Sequence, residues 1–246
     1  MPRYRRSMRW LLCGLFVVPL VACGQNRDAL REIAQEQCYA HWLAAHEAGP
    51  CERLVLPDPT GMRDGYAVLH DRKGGAHFLL IPTRTLTGIE SPELLAPDAP
   101  NYFDAAWSAR AELERTIGHA LGRDAIGMAV NAHHARSQDQ LHIHVECLQP
   151  WVRAALAKQA PRLSANWTAV ALDGWDLLGI RVRGARLDGA NPFELLAARL
   201  PGAKGDMGRY SLLVAGIALA DGPGFAVLAG TGPGTERLLD ATCAGV

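Results

Sequence analysis

The sequence predicts an α+β protein, an antiparallel sheet with helices packed on it. Three observations carry that prediction. The run Gln140-Leu141-His142-Ile143-His144-Val145-Glu146 alternates polar and apolar residues with the period of two that belongs to a half-buried strand. Residues 103–121 repeat apolar side chains at helical spacing, with short apolar runs on either side of them. The resulting order of strand, strand, helix, strand, strand returns in coarser form after residue 158, which reads as an internal duplication. The chain then divides into residues 1–22, a linker helix and loop over 23–60, a half over 61–158 that carries the polar-faced strand, and a supporting half over 159–246.

Residues 1–22 carry Arg3, Arg5, Arg6 and Arg9, no acid, and an apolar run from Trp10 to Ala22. A basic start and a short apolar run read as an export signal or membrane anchor, outside the fold proper. The run falls short of the about 20 residues that span a bilayer. Its ending, Leu20-Val21-Ala22-Cys23-Gly24, resembles a bacterial lipobox, in which Cys23 would be lipidated after cleavage. An uncleaved anchor is the alternative. Both place the body in the bacterial cell envelope, membrane-anchored with the body in the periplasm and the inner membrane favoured.

From Asn26 to about Ala48 the spacing of Leu30, Ile33, Ala34, Cys38 and Trp42 predicts an amphipathic helix. Residues 51–65, rich in Pro, Gly and Asp, read as a loop. Gly65–Asp71 and His77–Pro82 form a hairpin across Arg72-Lys73-Gly74-Gly75, and Thr83–Asn101 is a long polar connection of the length often kept for function. Phe103, Ala106, Trp107, Leu113, Ile117 and Ala120 mark one helix running to about Leu121, stopped by Gly122. Ile126–Val130 is a strand, Asn131–Asp139 a polar turn and Gln140–Cys147 the strand with the histidines. In the second half, Trp167–Ala171, Gly179–Val182, Tyr210–Ala218 and Phe225–Ala229 read as strands, with helices near Val152–Lys158 and Pro192–Leu200.

Removing the four arginines of residues 1–22 leaves 21 basic residues against 25 acidic ones. That mildly acidic body lacks the electrostatic footprint of a nucleic-acid binder. Four cysteines remain in the body: Cys38, Cys51, Cys147 and Cys243. In an exported protein they can form two disulfides in three connectivities. Cys38–Cys51 closes a short loop and leaves Cys147 to hold the C-terminal tail through Cys243. A metal site or reactive thiol is the competing reading, though no Cys-x-x-Cys spacing supports it.

The polar face of the 140–146 strand holds two histidines two residues apart. Surface histidines are the plain alternative, but an otherwise apolar strand makes uncompensated polar side chains costly. A His-x-His pair can also bind zinc, with a third ligand from His133, His134, Glu146 or a distant Asp, as in a metal-dependent phosphoesterase. The third reading is nucleophilic attack on phosphorus by a neutral imidazole, with the second imidazole stabilising charge on the phosphoryl oxygens.

Asn131 through Val145, with the strand and helix before it, resembles the histidine-triad superfamily of nucleotide hydrolases and transferases. The resemblance implies His142 as nucleophile and His144 as the assistant to phosphate and leaving group. Gln140 stands where that family has its first histidine. A closer resemblance covers nearly the whole body, through Leu30-Arg31-Glu32-Ile33, Glu36-Gln37-Cys38, Gly65-Tyr66-Ala67-Val68-Leu69, Leu79-Leu80-Ile81-Pro82-Thr83, Gly88-Ile89-Glu90-Ser91-Pro92, Asn101-Tyr102-Phe103, Pro192-Phe193 and residues 136–144. These segments are similar to the bacterial CDP-diacylglycerol pyrophosphatase family. That implies hydrolysis of CDP-diacylglycerol in the bilayer to CMP and phosphatidate, with no metal or other cofactor. Asn131, Ser137, Gln138 and Gln140 are then the expected substrate-binding residues, and a built-in duplication makes a monomer sufficient. A lipid-binding lipoprotein with vestigial histidines is the non-enzymatic alternative.

Overall fold

A computed structural model of the chain describes residues 26–57, 62–72 and 74–246. The expected export segment 1–22 and the lipidation candidate Cys23 lie outside the described residues. Among the described residues, no helix is long and apolar enough to cross a membrane.

The fold is α+β, as expected, and its strands form one antiparallel sheet. They are β1 (Arg53–Val55), β2 (Tyr66–His70), β3 (Phe78–Pro82), β4 (Ile126–Val130), β5 (Ile143–Leu148), β6 (Thr168–Leu172), β7 (Trp175–Arg183), β8 (Ser211–Leu219), β9 (Gly222–Gly230) and β10 (Leu239–Asp240). Their order is β1-β2-β3-β5-β4-β8-β9-β7-β6, and β10 pairs with the end of β5. Outward from the central β4–β8 pair the sheet reads β5, β3, β2 on one side and β9, β7, β6 on the other. Each side thus sets its third, fourth, second and first strands in the same order.

The helices are α1 (Ala29–Glu32), a π-helical turn over Ile33–Cys38, α2 (Tyr39–Ala45), α3 (Tyr102–Ser108), α4 (Arg110–Ile117), α5 (Pro150–Gln159) and α6 (Pro192–Arg199). α3, α4 and α6 cover one face, where Phe103, Trp107, Leu113 and Phe193 pack on Phe78, Met128, Val145, Val214 and Phe225. The opposite face is covered in two patches. Leu30, Ala34 and Cys38 lie over Ala67, Leu79 and Ile81 at one end. Val152 and Leu156 lie over Leu213, Ala215 and Leu228 at the other. β5 runs between β3, under the first patch, and β4, at the edge of the second. Both expected disulfides form, Cys38–Cys51 and Cys147–Cys243.

Several elements differ from the sequence expectation. The expected single helix over 103–121 is two, divided at Ala109, whose N–H is shared between the Ala105 and Ala106 carbonyls at 3.2 and 3.0 Å. Gly118, not Gly122, ends it: its φ of +84° is the left-handed cap that favours glycine. β1 lies within the expected loop, and β10 was not expected at all; each is too short for an alternation to register. The strand carrying the histidines begins at Ile143 rather than Gln140, because the Leu141 N–H donates to the Leu86 carbonyl instead of joining a ladder.

Candidate active site

β5 is held on both sides, opposite Leu79 of β3 and Ala129 of β4 at His144. Leu141, Ile143, Val145 and Cys147 enter the core under α3. The period of two therefore turns His142, His144 and Glu146 to the other face, although His142 precedes the strand. The two imidazoles stand edge to face with ring centres 5.0 Å apart. They form the floor of a cavity of about 370 Å³. Leu30 and Ile33 of the N-terminal helix, with Leu69 and Leu79, give it an apolar wall, while Asn131, Ser137, Gln138 and Glu236 give it a polar one.

His142 is built as a neutral base. Its Nδ1–H donates to the Gln140 carbonyl at 2.7 Å, and a carbonyl can only accept, so the lone pair is left on Nε2. Burial, and secondly the neighbouring His144, hold its pKa down at about 4, against the opposing pull of the Gln140 carbonyl. At neutral pH the ring is uncharged, with its lone pair on Nε2.

His144 is flanked on both ring nitrogens. Its Nδ1 lies 3.0 Å from His77 Nε2 and 3.7 Å from Glu146 Oε1. Its Nε2 lies 3.0 Å from Glu236 Oε2, close enough for an ion pair but without hydrogen-bond alignment. Glu236 follows β9 in a 3-10 turn pinned by Thr235, whose hydroxyl donates to the Leu212 carbonyl at 2.7 Å.

Of the expected binding residues, Asn131, Ser137 and Gln138 line the cavity. Asn131 Oδ1 accepts from the Glu236 N–H at 3.4 Å, and Gln138 accepts from the Leu30 N–H at 3.3 Å while donating to the Asn26 carbonyl at 3.0 Å. Gln140 is corrected. Its side chain is fully buried, is not part of the cavity lining, and donates to the Pro82 and Arg84 carbonyls at 3.0 and 2.9 Å. It serves the site through its backbone carbonyl alone.

The metal candidates His133 and His134 line a separate open groove of about 710 Å³ that contains neither His142 nor His144. A different set, His77, His144 and Glu146, brings three potential ligand atoms within 4.8 Å of one another. The rings of His77 and His144 lie end to end, with ring centres 5.3 Å and nitrogens 3.0 Å apart and planes inclined by 18°. Each nitrogen points at the other with the geometry of a hydrogen bond.

Sequence reasoning missed His77 and Glu236. His77 stands at the head of the continuous apolar run of β3, where no alternation marks a face. Glu236 arrives from more than 90 residues beyond His144, out of reach of any local pattern.

Comparison with known proteins gives the arrangement a setting. The family model for CDP-diacylglycerol pyrophosphatase matches residues 25–246. A CDP-diacylglycerol pyrophosphatase of Yersinia pestis is 36% identical over 97% of this chain and 96% of its own length.

Proposed function

The chain belongs to the CDP-diacylglycerol pyrophosphatase family, and from that premise we propose that it hydrolyses CDP-diacylglycerol to CMP and phosphatidate through a nucleotidyl intermediate on His142. His142 Nε2 attacks the phosphorus on the cytidine side, and the bond to the phosphatidate oxygen breaks. His144 donates a hydrogen bond or proton to that departing oxygen from its Nε2. Water then attacks the same phosphorus and releases CMP, restoring neutral His142. Asn131 and Ser137 orient the phosphate oxygens, and the apolar wall of Leu30, Ile33, Leu69 and Leu79 accepts the less polar parts of the substrate.

The single observation that carries this reading is His142 itself, tautomer-fixed by the Gln140 carbonyl, held neutral, and facing a cavity beside a second imidazole. Rapid-quench labelling with substrate radiolabelled in the cytidine tests it. Label attached to wild-type protein and absent from His142→Ala is expected, with turnover falling by roughly 10³-fold or more. Near-normal turnover in His142→Ala would overturn it.

A metal-dependent phosphoesterase is the second reading, favoured by the His77, His144 and Glu146 cluster alone. Chelator-sensitive turnover without a labelled intermediate is its signature. A non-catalytic lipid-binding lipoprotein would bind the substrate and release no CMP.

The remaining parts of the proposal concern setting. Two disulfides suit an oxidising compartment such as the periplasm. A tether at Cys23 or an uncleaved anchor would keep the site beside a substrate that stays in the bilayer. The matching strand order on the two sides of β4–β8 supports a duplicated, histidine-triad-like architecture in which one chain suffices.

A further inference from the structure

Three ionisable side chains, His77, His144 and Glu146, are buried together at 4, 4 and 5% exposure. Such clusters do little for stability, since apolar side chains of similar volume serve as well or better. Their placement is not accidental packing either. His77 stands one step beyond the Phe78–Val145 pair of β3 and β5, which sets it across from Glu146. His77 Nε2 lies 3.0 Å from His144 Nδ1 and 3.2 Å from Glu146 Oε1, and its Nδ1 faces Asp71 Oδ2 at 3.7 Å. The end-to-end rings require one nitrogen of the 3.0 Å pair to carry the proton and the other to accept it.

We infer that His77 is a positioning residue, whose Nε2–H donates to His144 Nδ1 and so confines the remaining proton of His144 to Nε2, on the side of the cavity where the leaving oxygen departs. Glu146, close to the same His77 nitrogen, and Asp71, at the other, hold that ring in register. The reverse tautomer, with the proton on His144 Nδ1, would leave a lone pair facing the leaving oxygen and nothing to donate. The inference rests on the proposed reaction and adds to it His77 and Glu146, which are not part of the cavity lining, with Asp71 at its edge.

Two polar replacements separate this role from a structural one. In His77→Gln the side-chain amide nitrogen reaches the position of Nε2 and can donate to His144. In His77→Asn it stops near the position of Nδ1 and cannot. With CDP-diacylglycerol and the full chain, His77→Asn is expected to lose about 10²-fold or more in kcat with KM little changed, and His77→Gln to stay within about 10-fold of wild type. With cytidine 5′-(p-nitrophenyl phosphate), whose leaving group departs without a proton, both variants should stay within about 10-fold. Equal activity of the Asn and Gln variants on CDP-diacylglycerol, or equal losses on the two substrates, would overturn the inference while leaving His142 as nucleophile. Stoichiometric zinc in the wild type that His77→Asn lacks would also overturn it, by assigning the same atoms to an ion. A wild-type protein that releases no CMP would overturn the proposed function along with it.

Discussion

At the scale of residues, the site depends on how two histidines of one strand are made different. His142 is neutralised by burial and fixed by a carbonyl; His144 is set between a buried cluster and the Glu236 carboxylate. The first condition has a thermodynamic signature. The unfolded chain protonates His142 near 6.5 and the folded chain only near 4, so between those values the unfolded state binds the extra proton. Its contribution is complete above about pH 6.5 and is lost as pH falls toward 4, on the order of 3 kcal/mol in all. Calorimetry from pH 7 to 4 should show a smaller fall in Tm for His142→Gln than for wild type. The acid limb of kcat/KM should likewise fall near pH 4 rather than near 6.5. The two-residue spacing that places both rings on one face is plain in the sequence. The difference between them is not, because it is imposed by a carbonyl two residues back and by residues 67 and 92 positions away.

At the scale of elements, the loops around the cavity are joined by one buried cation. The Arg136 side chain is 3% exposed and bonds to Glu90 at 2.7 Å and Asp139 at 3.2 Å, and Asp139 in turn pairs with Arg27 at 2.6 Å. It thereby connects the long 83–101 segment, the turn before β5 and the start of the N-terminal helix. Gly88 makes room for it, since a Cβ there would stand 2.3 Å from the Arg136 guanidinium. Arg136→Met should cost about 1–3 kcal/mol in a denaturant titration, and should raise KM more than it lowers kcat, because the polar wall loosens while the histidines stay in place. The length of the 83–101 segment lets it reach the turn before β5, through Glu90 to Arg136 and the Leu86 carbonyl to the Leu141 N–H. β2, β3 and β4 were legible to within a residue or two, their apolar runs being bounded by Gly, Pro and Asn. The division of α3 from α4 was not, because one tightened turn at Ala109 leaves the apolar stripe unchanged.

At the scale of the whole molecule, one sheet joins the strands that carry the histidines to those that lead to Glu236, and Cys147–Cys243 ties the last turn of the chain to β5. That bridge spans 96 residues, against 13 for Cys38–Cys51. On chain entropy alone the long one contributes about 4–5 kcal/mol and the short one about 3 kcal/mol. Cys147→Ala/Cys243→Ala should therefore lower the unfolding free energy more than Cys38→Ala/Cys51→Ala. It should also lower activity more, since Cys147 adjoins Glu146 on the strand that carries the site. The central β4–β8 seam has a further consequence. Two like-ordered halves joined at such a seam meet much as the subunits of a symmetric dimer do, but here each is encoded by its own stretch of the gene. In a dimer of identical chains every substitution is made twice, once on each side of the axis. In this chain β9 can be all Gly, Pro, Ala, Val, Leu and Phe while its counterpart across the seam holds His144 and Glu146. The second half answers to the site chiefly through Glu236, set against His144, and its strands are otherwise scaffold.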